Sequence, residues 1–363
     1  MKKIGVYIHI PFCKSKCPYC DFYSLSCGQK EKSLFIASLK QEIGSYENVS
    51  ADTLYIGGGT PSVLTGDEIY DVVTAAKEQF AFSGGEITLE ANPSSLNAEF
   101  AEKAAAAGVN RFSLGVQSAI DGERKILGRK SSADEISKKI QMLKDVGIDN
   151  ISLDVMLGVP HQSLSSLKET LDFCIGSDVP HISAYILKIE EDTFFGKNRN
   201  RFPFPDEDSV ADMYEFTCDH LAKNGLKQYE ISNFARPGFE SRHNLKYWNC
   251  EEYLGFGPAA HSFFKKRRFF HERDLAEYIA DPLKTVDDGC GGDFEEYTML
   301  KLRLAKGLRE DEVQNDFGFP IPDKMRRNAK PFADEALVVS DEAGIRITPK
   351  GFLVSNYIIS HLF

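Results

Sequence analysis

Long apolar runs are missing from this sequence: none is long enough to span a bilayer, which leaves no candidate for a membrane-crossing helix. Basic residues are in the minority. Lys and Arg number 43 against 54 Asp and Glu, for a formal net charge of −11, and that balance argues against a nucleic-acid substrate. No secretory leader is expected, because Met1-Lys2-Lys3-Ile4-Gly5 leads straight into a strand pattern. Only eight cysteines occur in 363 residues, and three of them fall together. A disulfide framework is therefore excluded, and a reducing cytoplasm is expected. There is no G-K-[ST] behind the glycine run at Gly57–Gly59, so a phosphate loop is excluded as well. What remains is an ordinary globular composition, with 42% hydrophobic and 27% charged residues. Its length suits one large domain and a smaller one.

The three grouped cysteines carry the strongest chemical signal. Cys13, Cys17 and Cys20 stand at C-x3-C-x2-C spacing, directly after an apolar strand pattern at Val6–His9. A helix would put them on one face, but Pro11 and Pro18 interrupt the run. The pattern predicts a loop that wraps three thiolates around zinc or an iron–sulfur cluster. A closed zinc site needs four ligands, and no second C-x2-C pair follows. Zinc completed by Cys27 or His9 is the alternative on ligand count alone. A [4Fe–4S] cube on three cysteines would leave one iron open to an exchangeable ligand.

The stretch Tyr7-Ile-His9-Ile-Pro11-Phe12-Cys13 through Tyr19-Cys20 resembles the cluster loop of the radical SAM superfamily. The likeness is to the HemN/HemW branch, which contains oxygen-independent coproporphyrinogen III dehydrogenase and haem chaperones. It implies that Cys13, Cys17 and Cys20 ligate a [4Fe–4S] cluster whose open iron binds S-adenosylmethionine. Tyr7 and Tyr19 match positions beside the cluster and cofactor. Gly58-Gly59-Thr60-Pro61 resembles the family segment that holds the methionyl end. Glu90, Gln117, Arg129 and Asp154 match positions that contact S-adenosylmethionine.

The residues themselves point the same way. Strands and helices alternate from residue 5 to about 190, which predicts a parallel sheet with crossover helices. Glu90, Gln117 and Asp154 lie in or at the ends of apolar strand patterns at Glu86–Glu90, Arg111–Gln117 and Ile151–Pro160. In a β/α barrel, sites are built at the C-terminal ends of strands. Helix caps or loop contacts would explain one such residue; a shared polar ligand explains all three better. With His181–Glu190 as the sixth strand, the expected fold is α/β: an open partial (β/α)6 radical SAM barrel. A small α+β, winged-helix-like C-terminal domain follows. The expected division is 1–280 and 281–363, with a glycine-containing linker at 288–292 and a helix over Phe294–Lys306.

Between them lie a loop at 192–206 carrying Phe194, Phe195, Phe202 and Phe204, a helix over Asp208–Asn224, and a strand at Tyr229–Ala235. The loop aromatics either cover the barrel mouth or pack. His243-Asn-Leu-Lys-Tyr247-Trp248 contains the only Trp and resembles a block of the branch's haem chaperones. A histidine near aromatics is usually a packed core residue, but imidazole is also a standard haem-iron ligand. His243 is thus the expected haem donor, with His261 a weaker candidate. Phe263–Phe270 reads as a hairpin with a charged turn.

The resemblance implies a haem chaperone that passes haem to an apo-haemoprotein, with at most transient membrane contact. The alternative is oxidative decarboxylation of coproporphyrinogen III. The dehydrogenase carries a further Cys two residues after the triplet, where this chain has Phe22. It also carries a segment before the loop that is expected to be missing here.

Overall fold

The computed structural model describes residues 3–26, 28–82 and 84–363; Cys27 therefore lies outside the described residues. Six parallel strands follow one another in order: β1 (Ile4–Ile10), β2 (Ala51–Gly58), β3 (Glu86–Ala91), β4 (Arg111–Gln117), β5 (Asn150–Leu157) and β6 (His181–Ile186). Crossover helices lie between them, among them Gln29–Ile43, Gly66–Gln79, Ala98–Ala107, Ala133–Asp145 and Leu164–Gly176. Three of these open with a reciprocal cap, at Thr65/Glu68, Ser132/Glu135 and Ser163/Ser166, which satisfies the first free amides.

Strict alternation in the strands gives the sheet two unlike faces. Val6, Ile8, Leu54, Ile56, Ile87, Leu89, Phe112, Leu114, Ile151 and Leu153 are buried in the main core. The intervening residues form the other face, which is polar: Thr53, Tyr55, Glu86, Thr88, Glu90, Arg111, Ser113, Ser152, Asp154, His181 and Ser183. That inner face is where a polar ligand can be held.

The sheet continues beyond both ends of the six. β7 (Lys227–Gln228) and β8 (Asn233–Ala235) run antiparallel outside β6. β9 (Tyr253–Phe256) lies parallel to β1, followed by antiparallel β10 (His261–Phe264), β11 (Arg267–Phe270) and β12 (Val286–Cys290). Of the expected strand over Tyr229–Ala235, only Asn233–Ala235 is a strand, and β7 lies just before that range. β12 is a correction: the stretch 288–292, expected as a linker, overlaps a strand that pairs with β11 from Phe270↔Val286 to Arg267↔Cys290. The large sheet therefore runs past the expected boundary at 280/281. The β10–β11 hairpin is as expected, with Lys265 and Lys266 at φ 51° and 60° in the two turn positions.

Beyond it, the expected helix from Phe294 ends at Lys301. A three-stranded antiparallel sheet, β13 (Leu308–Arg309), β14 (Val338–Asp341) and β15 (Gly344–Ile347), is packed with helices at Glu310–Phe317, Asp323–Asp334 and Ser355–Leu362. Among the described residues, no helix is long and apolar enough to cross a membrane.

Candidate functional site

The cysteine loop leaves the C-terminal end of β1 and is pinned on two sides. On one side Phe12 pairs with Leu25, through Leu25 N–H to the Pro11 carbonyl (2.8 Å) and Cys13 N–H to the Leu25 carbonyl (3.0 Å). Phe12 is buried edge-on against Phe35 at 5.2 Å. On the other side the Phe195 amide donates to the Pro18 carbonyl at 2.9 Å. Phe195, Phe202, Phe204, Leu127, Met156 and Val159 form a small apolar cluster of their own, against which Tyr19 packs. The loop aromatics thus include a packed support beneath the cysteine loop, while Phe194 stays exposed.

Between these anchors the three thiols are free and partly exposed. Burial raises the Cys20 pKa, so its thiolate calls for a compensating cation. Among the described residues, no three His, Cys, Asp or Glu side chains converge as a single metal ion would require. A four-iron cube spreads its ligands more widely than one ion does. His9, the zinc alternative within the described residues, has both ring nitrogens engaged, by Tyr7 Oη (3.0 Å) and the Tyr23 carbonyl (2.9 Å).

The glycine segment runs directly alongside. Gly59 N–H donates to the Ile10 carbonyl and Thr60 N–H to the Phe12 carbonyl, both at 2.8 Å. A Cβ on Gly59 would stand 2.6 Å from the Phe12 oxygen and 2.8 Å from the Ile10 oxygen. Gly58 has φ 104°, and a Cβ there would meet the His9 ring at 2.5 Å. Both positions therefore require glycine. Thr60 Oγ1 reaches Cys13 Sγ at 3.2 Å.

Glu90 takes the Tyr55 hydroxyl at 2.7 Å and the Gly58 amide at 3.2 Å. Burial raises its pKa to about 7, against the lowering pull of the Tyr55 hydrogen bond. Asp154 accepts from Ser113 Oγ at 2.9 Å, and burial lifts it to about 6. Both side chains are partly rather than fully enclosed. Two partly ionised acids poised on one inner face suit a cationic ligand. Gln117 reaches that face through a register shift between Gly115 and Gln117, at φ 69°, and accepts from Tyr185 Oη at 2.8 Å. Arg129 donates to Tyr19 Oη and would touch a Cβ on Gly115 at 3.3 Å. Its Nε is buried without a partner. An unpaired guanidinium N–H beside Gln117 fits a carboxylate. The donors therefore fit a cluster plus an amino acid-like cofactor: thiols for iron, acids for an ammonium, Arg129 for a carboxylate.

His243 does not join them. It lies in the helix Arg242–Trp248, at the opposite end of the strands, beside Gly5 and Thr53. Its Nδ1 lies 2.9 Å from Thr53 Oγ1 and its Nε2 2.7 Å from Tyr247 Oη. The side chain is 0% exposed, and burial lowers its pKa to about 3. Glu86, the first residue of β3, accepts the Arg242 and His243 amides at 3.0 Å each and so anchors the helix start. The expected haem donor is thus a satisfied core histidine with no face for a ligand. Sequence reasoning also missed Tyr55 and Tyr185, which hold Glu90 and Gln117; their alternation within β2 and β6 was the available signal.

A model of the radical SAM superfamily matches residues 7–174, and one of the HemN C-terminal domain matches 294–354. The chain is 34% identical to Heme chaperone HemW of Lactococcus lactis, over 98% of this chain and 96% of that one. It is 31% identical to Heme chaperone HemW of Bacillus subtilis, over 98% and 97%. Among solved structures, coproporphyrinogen III oxidase (HemN) from Escherichia coli aligns with a TM-score of 0.85, at 20% identity, over 99% of this chain and 90% of that one. The likeness to that solved structure establishes the fold. With relatives of this identity over nearly its whole length, the chain belongs to the HemW family of the radical SAM superfamily.

Proposed function

We propose that this protein is a haem chaperone: it binds haem and hands it to an apo-haemoprotein in a manner dependent on a [4Fe–4S] cluster and S-adenosylmethionine. The observation that carries this reading is the full-length likeness to proteins named Heme chaperone HemW. Cys13, Cys17 and Cys20 would hold the cluster. Tyr7, Tyr19, Gly58, Gly59, Thr60, Glu90, Gln117, Arg129 and Asp154 would form or border the cofactor site. When bound, the cluster supplies an open iron and an electron for the cofactor. The chain's own part is to orient: the glycine edge lets backbone approach, Glu90 and Asp154 meet positive charge, and Arg129 meets a carboxylate. The setting is cytoplasmic, with contact at a membrane only during delivery.

Anaerobic reconstitution tests this against the dehydrogenase reading, with haem and coproporphyrinogen III offered in parallel in the presence of S-adenosylmethionine. Stoichiometric haem retention without conversion of coproporphyrinogen III is expected. Turnover to protoporphyrinogen IX, with haem bound no better than by an unrelated apolar protein, would make the protein an enzyme.

A further inference from the structure

With His243 enclosed, the haem iron needs another donor, and the sheet offers one. His261 opens β10 and is exposed. Phe263, two residues on, pairs with Tyr253, and Tyr253 packs at 4.5 Å on Tyr247 of the interior helix. Phe264 turns the other way, onto Tyr46 on the helix-covered side. His261 therefore shares the inner face with Phe263. Continuing the Phe263↔Tyr253 register sets His261 opposite Gly255, which in turn pairs with Tyr7 on β1. His261 also pairs with Phe270 on β11, and the two rings stack at 5.0 Å and 22°.

A row thus crosses four strands: Tyr7, Gly255, His261, Phe270. Its span from Tyr7 to His261 is two strand spacings, or about 10 Å. Gly255 itself carries no side chain, and the His261 carbonyl oxygen and Ala260 lie over it, 2.1 Å and 3.1 Å from where a Cβ would stand. The cysteine loop borders the same end. Arg273, three residues past Phe270, faces Asp21 at 3.8 Å, and Tyr23 Oη receives the Leu275 amide at 2.8 Å. Phe22 between them is 67% exposed.

The other histidines are unsuited. His9, His181 and His243 have both nitrogens engaged, and buried His271 meets Glu42 at 2.7 Å. His220 pairs with Asp172. His161 and His361 are exposed but lie in no strand of the sheet. Partial burial lowers the His261 pKa, against the pull of Asp288, and so keeps the ring neutral with a lone pair available near pH 7.

We infer that His261 is the iron donor by which this inner face holds haem, with Phe270 stacked behind the imidazole and the exposed Phe22 and Arg273 bordering the porphyrin. The inference rests on the haem-chaperone reading. An iron porphyrin matches the chemistry of the face: a neutral imidazole for the iron, aromatic surface for the macrocycle, and a cationic side chain for a propionate.

The test is haem titration of the full-length protein, read by the Soret band and by resonance Raman of the iron–histidine bond. Wild type, His261→Ala, His161→Ala and His361→Ala are compared. His261→Ala should lose the histidine-ligated spectrum and weaken binding by about ten-fold, equivalent to about 1.4 kcal/mol. Added imidazole should restore the spectrum, while the other two variants should match wild type. Because His261 is exposed, circular dichroism should show the variant folded. A wild-type spectrum from His261→Ala would overturn the assignment and leave the chaperone reading intact. Failure of the wild type to bind haem saturably would overturn both.

Discussion

Glu90 and Asp154 show how burial prepares an acid to meet a cation. Each is raised by burial, to about 7 and about 6, from ordinary values of 4.5 and 3.8. Between the ordinary and raised values the folded protein holds more protons than the unfolded chain. These two groups therefore make the cofactor-free protein lose stability as pH rises from about 4 to about 7, at up to about 1.4 kcal/mol per pH unit for each group before discounting for their open edge. Thermal melts of wild type and Glu90→Gln across that range check the sign: the difference between them should grow with pH, and a constant difference would refute it. A bound cation should draw both acids back to the ionised form. S-adenosylmethionine binding near pH 6.5 is accordingly expected to release protons, measurable by calorimetry in buffers of different ionisation enthalpy. The release should shrink in Glu90→Gln. Gly59→Ala is a backbone test of the same site. Its Cβ would meet two carbonyl oxygens that cannot rotate away. It should lower iron content at reconstitution, with little change in far-UV circular dichroism; full iron loading would show that the cysteine loop can shift.

At the scale of elements, the core was legible wherever polar and apolar residues alternate. T-L-Y-I, E-I-T-L-E and R-F-S-L each announce a strand and its two faces, and the structure follows them through Thr53–Ile56, Glu86–Glu90 and Arg111–Leu114. The cysteine triplet needs no tertiary information, because its spacing is local. Two features were not legible. The stretch 288–292 has the composition of a linker, and the pairing of 286–290 with β11 is a long-range choice that local propensity does not encode. His243 lies in a short motif whose chemistry suits a haem ligand. Nothing local says that Thr53, 190 residues earlier, hydrogen-bonds its Nδ1. The helix Arg242–Trp248 instead packs at the N-terminal end of the strands. His243→Ala would leave Thr53 and Tyr247 without partners in a buried setting. It is expected to cost about 2–4 kcal/mol of stability, seen as a lower denaturant midpoint. Unchanged stability with lost haem binding would return His243 to the ligand role.

At the scale of the whole molecule, the proposed cofactor site and the proposed haem site share one inner face of the sheet. The cysteine loop and glycine edge lie at the C-terminal ends of β1 and β2, and the row from Tyr7 to Phe270 runs outward from them toward the β12 edge. A ligand on that row would sit beside the cluster loop, and on the proposed function the state of the cluster would bias its release. The most direct measurement mixes anaerobically reconstituted, haem-loaded protein with an apo-haemoprotein and follows the acceptor's Soret band, for wild type and Cys17→Ala. Wild type is expected to transfer haem faster than haem escapes to a non-specific scavenger, and Cys17→Ala, lacking the cluster, to lose that advantage. Equal rates for the two proteins, both matching simple dissociation, would contradict it.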